Sequence, residues 1–267
     1  PALRVFARDG HAPTLTTPFG LMGYVKLADW PTEAGARLLE LRSTTAVWTL
    51  RLTDDSGTPV LRWEVQGSEV GVTTLFDTEP GVLPTGEWVH IALGVDSRNA
   101  YLFVRGELAV AARHPAGAVN FFRGTLTDVV LGAGVAGEPP VTAAFADVVF
   151  LSRAVSPADV RAAVLTGLPY GVTAVPGARG DLEDVSVVET GGVDAVPHQV
   201  PAEVVGVRPL PTSLWSDAVV YLPFDGTTAD LHLEPPLFGD LRDGLFGRGR
   251  FGELPGALNP GGTSGGV

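Results

Sequence analysis

From residue 5 to residue 151 the chain is a succession of short apolar runs, each ended by turn residues before a helix of ordinary length can form. That spacing constrains the fold more than any other feature. Gly20-Leu-Met-Gly-Tyr-Val-Lys-Leu-Ala-Asp-Trp30 stops at a Trp-Pro break, as a strand does. Runs at 38–41 and 46–52 follow, and Thr53-Asp54-Asp55-Ser56-Gly57 supplies turn chemistry. Within 60–65, Leu61, Trp63 and Val65 fall on one face of a strand, and 70–76 is rich in β-branched residues. Trp88 leads the strand in Gly86-Glu-Trp-Val-His-Ile-Ala-Leu-Gly-Val95. Asp96-Ser97-Arg98-Asn99 then turns into Ala100-Tyr-Leu-Phe-Val104, and Arg105-Gly106-Glu107 turns into 108–112. Runs at 126–131 and 144–151 complete the set. Turns at intervals of roughly 8 to 12 residues, with no long helix between them, predict an all-β fold, an antiparallel β-sandwich.

One short helix is predicted. Ser156 is its N-cap, Pro157 suits the first helical position, Asp159 lies in the first turn, and the run 160–165 ends at Gly167. Beyond it the composition changes. Pro169, Pro176, Pro197, Pro201, Pro209 and Pro211 recur around Gly191-Gly192, which lowers the backbone's hydrogen-bonding capacity. This predicts an extended Pro/Gly-rich arm over 169–213 with brief strands at 185–188 and 204–207. Asp217-Ala-Val-Val-Tyr-Leu-Pro-Phe-Asp225 reads as a strand again, in a segment running from 214 to 258. The glycine-rich end, 259–267, is predicted to be a flexible tail.

Of the 267 residues 45 % are apolar and 18 % charged, ample for a core, so the body at 1–168 is expected to fold as a domain. The formal net charge is -12 and Lys26 is the sole lysine. Such a surface repels a phosphate backbone, which excludes nucleic acid as a partner. No run of about 18 apolar residues exists, so no segment is expected to span a bilayer. The absence of cysteine rules out disulfides, thiolate chemistry and all-cysteine zinc sites. A chain without cysteine, with arginine in place of lysine and much Ala, Val and Gly, points to a bacterium or a bacteriophage.

Reactive groups do not assemble in the sequence. His11, His90, His114, His198 and His232 are scattered without ligand spacing, and His90 shares a strand face with Trp88, which reads as packing. There is no Gly-x-Ser-x-Gly elbow and no phosphate-cradling loop. The densest acidic cluster, Asp181-Leu-Glu183-Asp184, lies in the arm and reads as a solvated loop, and the neighbouring Arg179-Gly180-Asp181 reads as chance.

Gly86-Glu-Trp88-Val-His90, followed by Tyr101-Leu-Phe-Val-Arg-Gly106, resembles paired strands of laminin-G-like domains of the concanavalin A type, with Arg105 where an aspartate is usual. Ala146-Asp147-Val148-Val149-Phe150-Leu151-Ser152-Arg153-Ala154-Val155-Ser156 resembles the family's closing strand and helix start. The stretch 19–25 resembles an early strand. The resemblance covers about residues 2 to 168 and implies a concanavalin A-like jelly roll. A second resemblance lies near the other end. Val219-Val-Tyr-Leu-Pro-Phe-Asp225-Gly226, then Ala229-Asp230, then Gly249-Arg-Phe-Gly252, is similar to the opening of such a domain. The chain thus reads either as a piece of tandem modules or as a sandwich whose missing first strand is supplied late, by its own segment or by a neighbour's.

Glycoside hydrolases on such sandwiches share a Glu-x-Asp-x-x-Glu strand that sets two carboxylates about 5 Å apart. No such segment occurs here, so the resemblance implies a non-catalytic module. Calcium is the one cofactor it suggests, through the matching positions Asp147 and Asp230. The opening loop, however, reads Asp230-Leu-His-Leu where small polar residues are usual, and calcium takes about six to eight oxygens. Trp48, Trp63 and Trp88 sit inside strand patterns and are assigned to the core. Trp30 and Trp215 lie outside them and are the candidate glycan contacts. The expected role is a structural or adhesive module of an extracellular assembly. A phage virion protein (capsid decoration or tail) is the first form, and a carbohydrate-binding module of a secreted or cell-surface bacterial protein the alternative. Its partners would be other copies or other virion proteins through 169–225, and glycans, at a virion or an extracellular or cell surface.

Overall fold

The computed structural model describes residues 2–6, 14–16, 18–30, 35–55, 58–67, 71–113, 123–132, 141–166, 218–222, 238–242, 245–247 and 257–259. In chain order its elements are β1 (Ala2–Phe6), β2 (Thr14–Thr16), β3 (Phe19–Leu27), β4 (Ala36–Ser43), β5 (Ala46–Asp55) and β6 (Thr58–Gly67). Next come β7 (Val72–Asp77), β8 (Trp88–Val95), β9 (Asn99–Val104), β10 (Glu107–Arg113), β11 (Arg123–Leu131) and β12 (Ala143–Leu151). Helix α1 (Pro157–Thr166) follows, then β13 (Ala218–Leu222), β14 (Phe238–Arg242), β15 (Leu245–Gly247) and β16 (Ala257–Asn259). The apolar runs of the sequence thus become the antiparallel sandwich they predict, with one short helix.

Among the described residues two sheets of eight strands form. The first runs β14-β1-β11-β4-β5-β6-β7, with β2 also on β11. The second runs β10-β9-β8-β3-β12-β16-β15, with β13 also on β12. Successive side chains of a strand point to opposite faces, so every second residue enters the space between the sheets. In the β5–β6 hairpin the pairs Trp48↔Val65, Leu50↔Trp63 and Leu52↔Leu61 all do so. Phe19, Val25 and Leu27 of β3 and Val89, Leu93 and Val95 of β8 meet them from the other sheet. Phe19 stands edge-on to Trp48 at 6.0 Å between ring centroids, and Trp48 lies 5.9 Å from Trp63. Each such side chain, fully removed from water, contributes about 1.5–3 kcal/mol, which makes this layer the main source of stability.

The outer faces differ. Outward from the second sheet point Met22, Ala92, Phe103 and Val149, and α1 covers them with Val160 and Ala163. The helix begins as its sequence predicts. The Asp159 N–H donates to Ser156 Oγ at 3.2 Å, and the Ser156 N–H donates back to Asp159 Oδ2 at 2.9 Å, a reciprocal cap. No helix among the described residues is long and apolar enough to cross a membrane.

Strand β13 coincides with the late strand expected in 217–225, whereas β2, β15 and β16, of three residues each, are too short to stand out in the sequence, and β14, Phe-Gly-Asp-Leu-Arg, lacks β-branched residues. The arm at 169–213 with its brief strands, and all of the tail beyond Asn259, lie outside the described residues.

Candidate functional site

A groove of about 720 Å³ opens on the outer face of the second sheet, between the β9–β10 hairpin and the start of α1. Tyr101 and Phe103 floor it, Leu108 and Ala111 of β10 form one wall, and Val155 to Pro157 the other, with Glu107 and Arg161 at the rim. It exists because the hairpin turns tightly. Arg105 and Gly106 carry φ of 54° and 91°, the pair of left-handed residues that a two-residue hairpin with the natural strand twist demands. Arg105 also pairs with Glu87, tying the turn to the lead-in of β8.

Tyr101 is fixed more firmly than a half-buried aromatic needs to be. Its cross-strand partner is Gly94, and a methyl placed on Gly94 would lie 2.3 Å from Cε2 and 2.4 Å from Cδ2 of the tyrosine. The ring therefore lies flat across the glycine, filling the space a side chain would take. Its hydroxyl donates to Asp96 Oδ2 at 2.7 Å. Asp96 Oδ1 in turn accepts the N–H groups of Arg98 and Asn99 at 2.6 and 2.7 Å, closing the turn between β8 and β9. Phe103 meets the ring edge-on at 6.2 Å. Burial, with the hydrogen bond to and the charge of Asp96 behind it, raises the phenol above its ordinary value, so it stays protonated and donating. Burial alone would raise Asp96 as well. The hydrogen bonds from Tyr101, Arg98 and Asn99 outweigh it and hold the carboxyl below its ordinary value.

Of the sequence-predicted site residues the structure describes Asp147 and Trp30. Asp147 is buried at an irregularity of β12, where the register against β3 shifts between Ala146 and Val149, and it has φ of 50°. Asp230 lies outside the described residues, as does Trp215. No group of three or more His, Asp or Glu able to hold a metal ion occurs among the described residues. Trp30 is half-buried and packs against the inter-sheet core. Trp48 and Trp63 are core residues, while Trp88 is half-buried on the outer face beside Tyr24, Ala144 and Ala146. His90 is 3 % exposed, with its ring 5.0 Å from that of Tyr24, in the packing role read for it.

Sequence reading missed Tyr101 as a site residue. The available signal was a glycine inside a strand (Gly94) one turn away from a tyrosine, which flags a close approach across the hairpin.

A family model described as the concanavalin A-like lectin/glucanases superfamily, of the laminin-G kind, matches residues 8–161. That span is more than half of the chain and contains every residue lining the groove. No curated protein matches the chain in sequence. Among solved structures, the chain is similar to the receptor binding domain of botulinum neurotoxin D, with 12 % identity, TM-score 0.47, 64 % of this chain and 43 % of that one covered. The chain thus spans less than half of that structure's length. It is also similar to the heptameric SAP-like pentraxin of Limulus polyphemus, with 11 % identity, TM-score 0.40, and 61 % and 81 % covered. A third likeness is to domain 4 of an extracellular arabinanase from Geobacillus stearothermophilus in complex with arabinotriose, with 18 % identity, TM-score 0.42, and 58 % and 69 % covered. With its two antiparallel sheets and the matched span running through both, the chain belongs to the concanavalin A-like lectin/glucanases superfamily.

Proposed function

We propose that the protein is a non-catalytic, adhesive glycan-binding module and that it holds its ligand in the groove floored by Tyr101 and Phe103. The carrying observation is the pinned tyrosine, backed by Gly94, anchored by Asp96 and flanked by Phe103. A ring held in place before the ligand arrives loses little freedom on binding, and its open face offers an apolar plate to the C–H face of a sugar. Around it the groove combines apolar walls with a few polar groups, Glu107 and Arg161, suited to ring hydroxyls, and its volume is that of a small-molecule site. Membership of a lectin-containing superfamily supports the same reading. Trp30 is the weaker candidate, because one side of it rests on the core.

The non-catalytic part rests on the lining. Among the described residues Glu107 is the one carboxylate lining the groove, whereas glycoside hydrolysis ordinarily takes two facing carboxylates. Such a module serves a virion surface or a secreted bacterial protein equally well, since either needs a holding contact rather than turnover.

The test is a glycan array probed with the whole chain, followed by titration of the best ligand against Tyr101→Ala. The variant should weaken binding at least about tenfold, roughly 1.4 kcal/mol. An array without a hit, unchanged affinity in the variant, or release of free sugar from a bound polysaccharide would each overturn the proposal.

A further inference from the structure

Strand β12 reads Ala-Ala-Phe-Ala-Asp-Val-Val-Phe-Leu, and all nine of its residues are buried. A run that is apolar without alternation needs cover on both faces, and its backbone needs partners along both edges. One edge is taken by β3, from Ala143↔Leu27 to Leu151↔Gly20. Among the described residues the other is taken by strands from the far end of the chain. β13 pairs with it from Val148↔Leu222 to Leu151↔Ala218, and β16 meets it at Phe145↔Leu258. The neighbouring edge of the first sheet is treated alike, since β14 pairs with all five residues of β1, from Ala2↔Arg242 to Phe6↔Phe238. Between 218 and 259 the chain therefore passes from the second sheet to the first and back.

We propose that the outer edge of β12 is a strand-accepting slot and that its occupant is β13 of the same chain, so that each molecule closes its own sandwich. The interleaving argues for this. A neighbour that donated β13 together with β14 and β16 would have to give up strands on both of its own sheets at once, because one continuous segment clasps both. The tether argues likewise. Residues 167–217 separate α1 from β13, enough chain to reach the slot at about 3.3 Å per residue. A tethered segment competes at an effective concentration on the order of millimolar, far above that of a second copy under ordinary conditions. The inference is independent of what the groove binds. It bears on assembly, for the outer edge of β12 is then occupied, and a second copy cannot add a strand to it.

The chain has no cysteine of its own, which makes crosslinking direct. The full-length protein carrying Val149→Cys with Tyr221→Cys, a register pair, is oxidised at two concentrations tenfold apart. The expected product is an internally crosslinked monomer whose yield does not depend on concentration. A covalent dimer that grows with concentration, or two free thiols in folded protein, would overturn the proposal. A second register pair, Arg4→Cys with Asp240→Cys, reads the edge of the first sheet in the same way and decides the matter if the first variant does not fold.

Discussion

The two outer faces of the sandwich follow the same alternation rule and end in opposite states. On the first sheet the outward positions are charged and largely neutralise one another. Glu40, 1 % exposed, lies between Arg37, itself 5 % exposed, and Arg42. Arg51 pairs with Glu64 across the β5–β6 ladder at 3.1 Å, and Arg62 grips Asp77 through two hydrogen bonds of 2.7 and 2.9 Å. On the second sheet the outward positions are Met22, Tyr24, Trp88, His90, Tyr101 and Phe103, partly roofed by α1. A face whose charges are already matched has little left to offer a ligand. On the second face most aromatics are covered, and the apolar surface left open beside the groove is that of half-buried Tyr101 and exposed Leu108, where the proposed ligand would sit.

The largest expected effect tests the first face. Glu40→Gln keeps the side-chain volume but removes the carboxylate that pairs with the buried guanidinium of Arg37, which should cost about 3 kcal/mol. The exposed Arg62–Asp77 pair should matter far less, with Arg62→Ala costing under about 1 kcal/mol. Urea unfolding with an unchanged slope reads both. If Glu40→Gln costs no more than Arg62→Ala, this face is a solvated surface and not a locked one, and the contrast between the sheets loses half its basis.

The next effect sharpens the second face. Gly94→Ala puts a methyl where the Tyr101 ring lies, so the ring must swing off its seat. Overpacking of this kind costs about 1–3 kcal/mol, and glycan affinity should fall as far as it does in Tyr101→Ala. Affinity equal to that of the parent in a folded Gly94→Ala protein would show that the ring is not held by the glycine and that the groove owes nothing to it.

What could be read in the sequence was whatever depends on neighbours in sequence. The alternation of Leu61, Trp63 and Val65 put these residues in the core, and Ser156-Pro157 with Asp159 marked the start of α1, because period and cap are local matters. The site depends on register. Gly94 and Tyr101 meet only across the β8–β9 hairpin, and the groove gathers residues from the hairpin and from the start of α1. Glu40 reads as one more surface charge in Leu-Glu-Leu-Arg, and the shift of pairing between Arg37 and Leu39, which alters how β4 presents its side chains, leaves no mark in the sequence. Asp147 was singled out by resemblance and Trp30 by lying outside the strand patterns, and neither signal carries the burial of Asp147 at an irregularity of β12 or the packing of Trp30 on the core, which depend on tertiary register.

The smallest effect concerns the wall of the groove. Ser156 and Pro157 belong to that wall and to the helix start, so the cap and the site stand together. Burial by itself would raise the carboxyl of Asp159. The hydrogen bonds from Arg153, at 2.5 and 3.1 Å, and from Ser156 outweigh it and hold the carboxyl below its ordinary value. A depressed folded value means that the unfolded chain takes up the proton first as pH falls. The contribution of Asp159 is therefore complete above the ordinary carboxylate range, about pH 4, and is lost progressively below it. Ser156→Ala should cost about 1 kcal/mol at neutral pH. Asp159→Asn should lose stability at neutral pH and show a shallower decline than the parent between pH 5 and about pH 3 when melting temperature is followed. If that variant declined in acid as steeply as the parent, the charge at the helix start would contribute nothing, and the groove wall would have to be held by the packing of Val155 and Val160 alone.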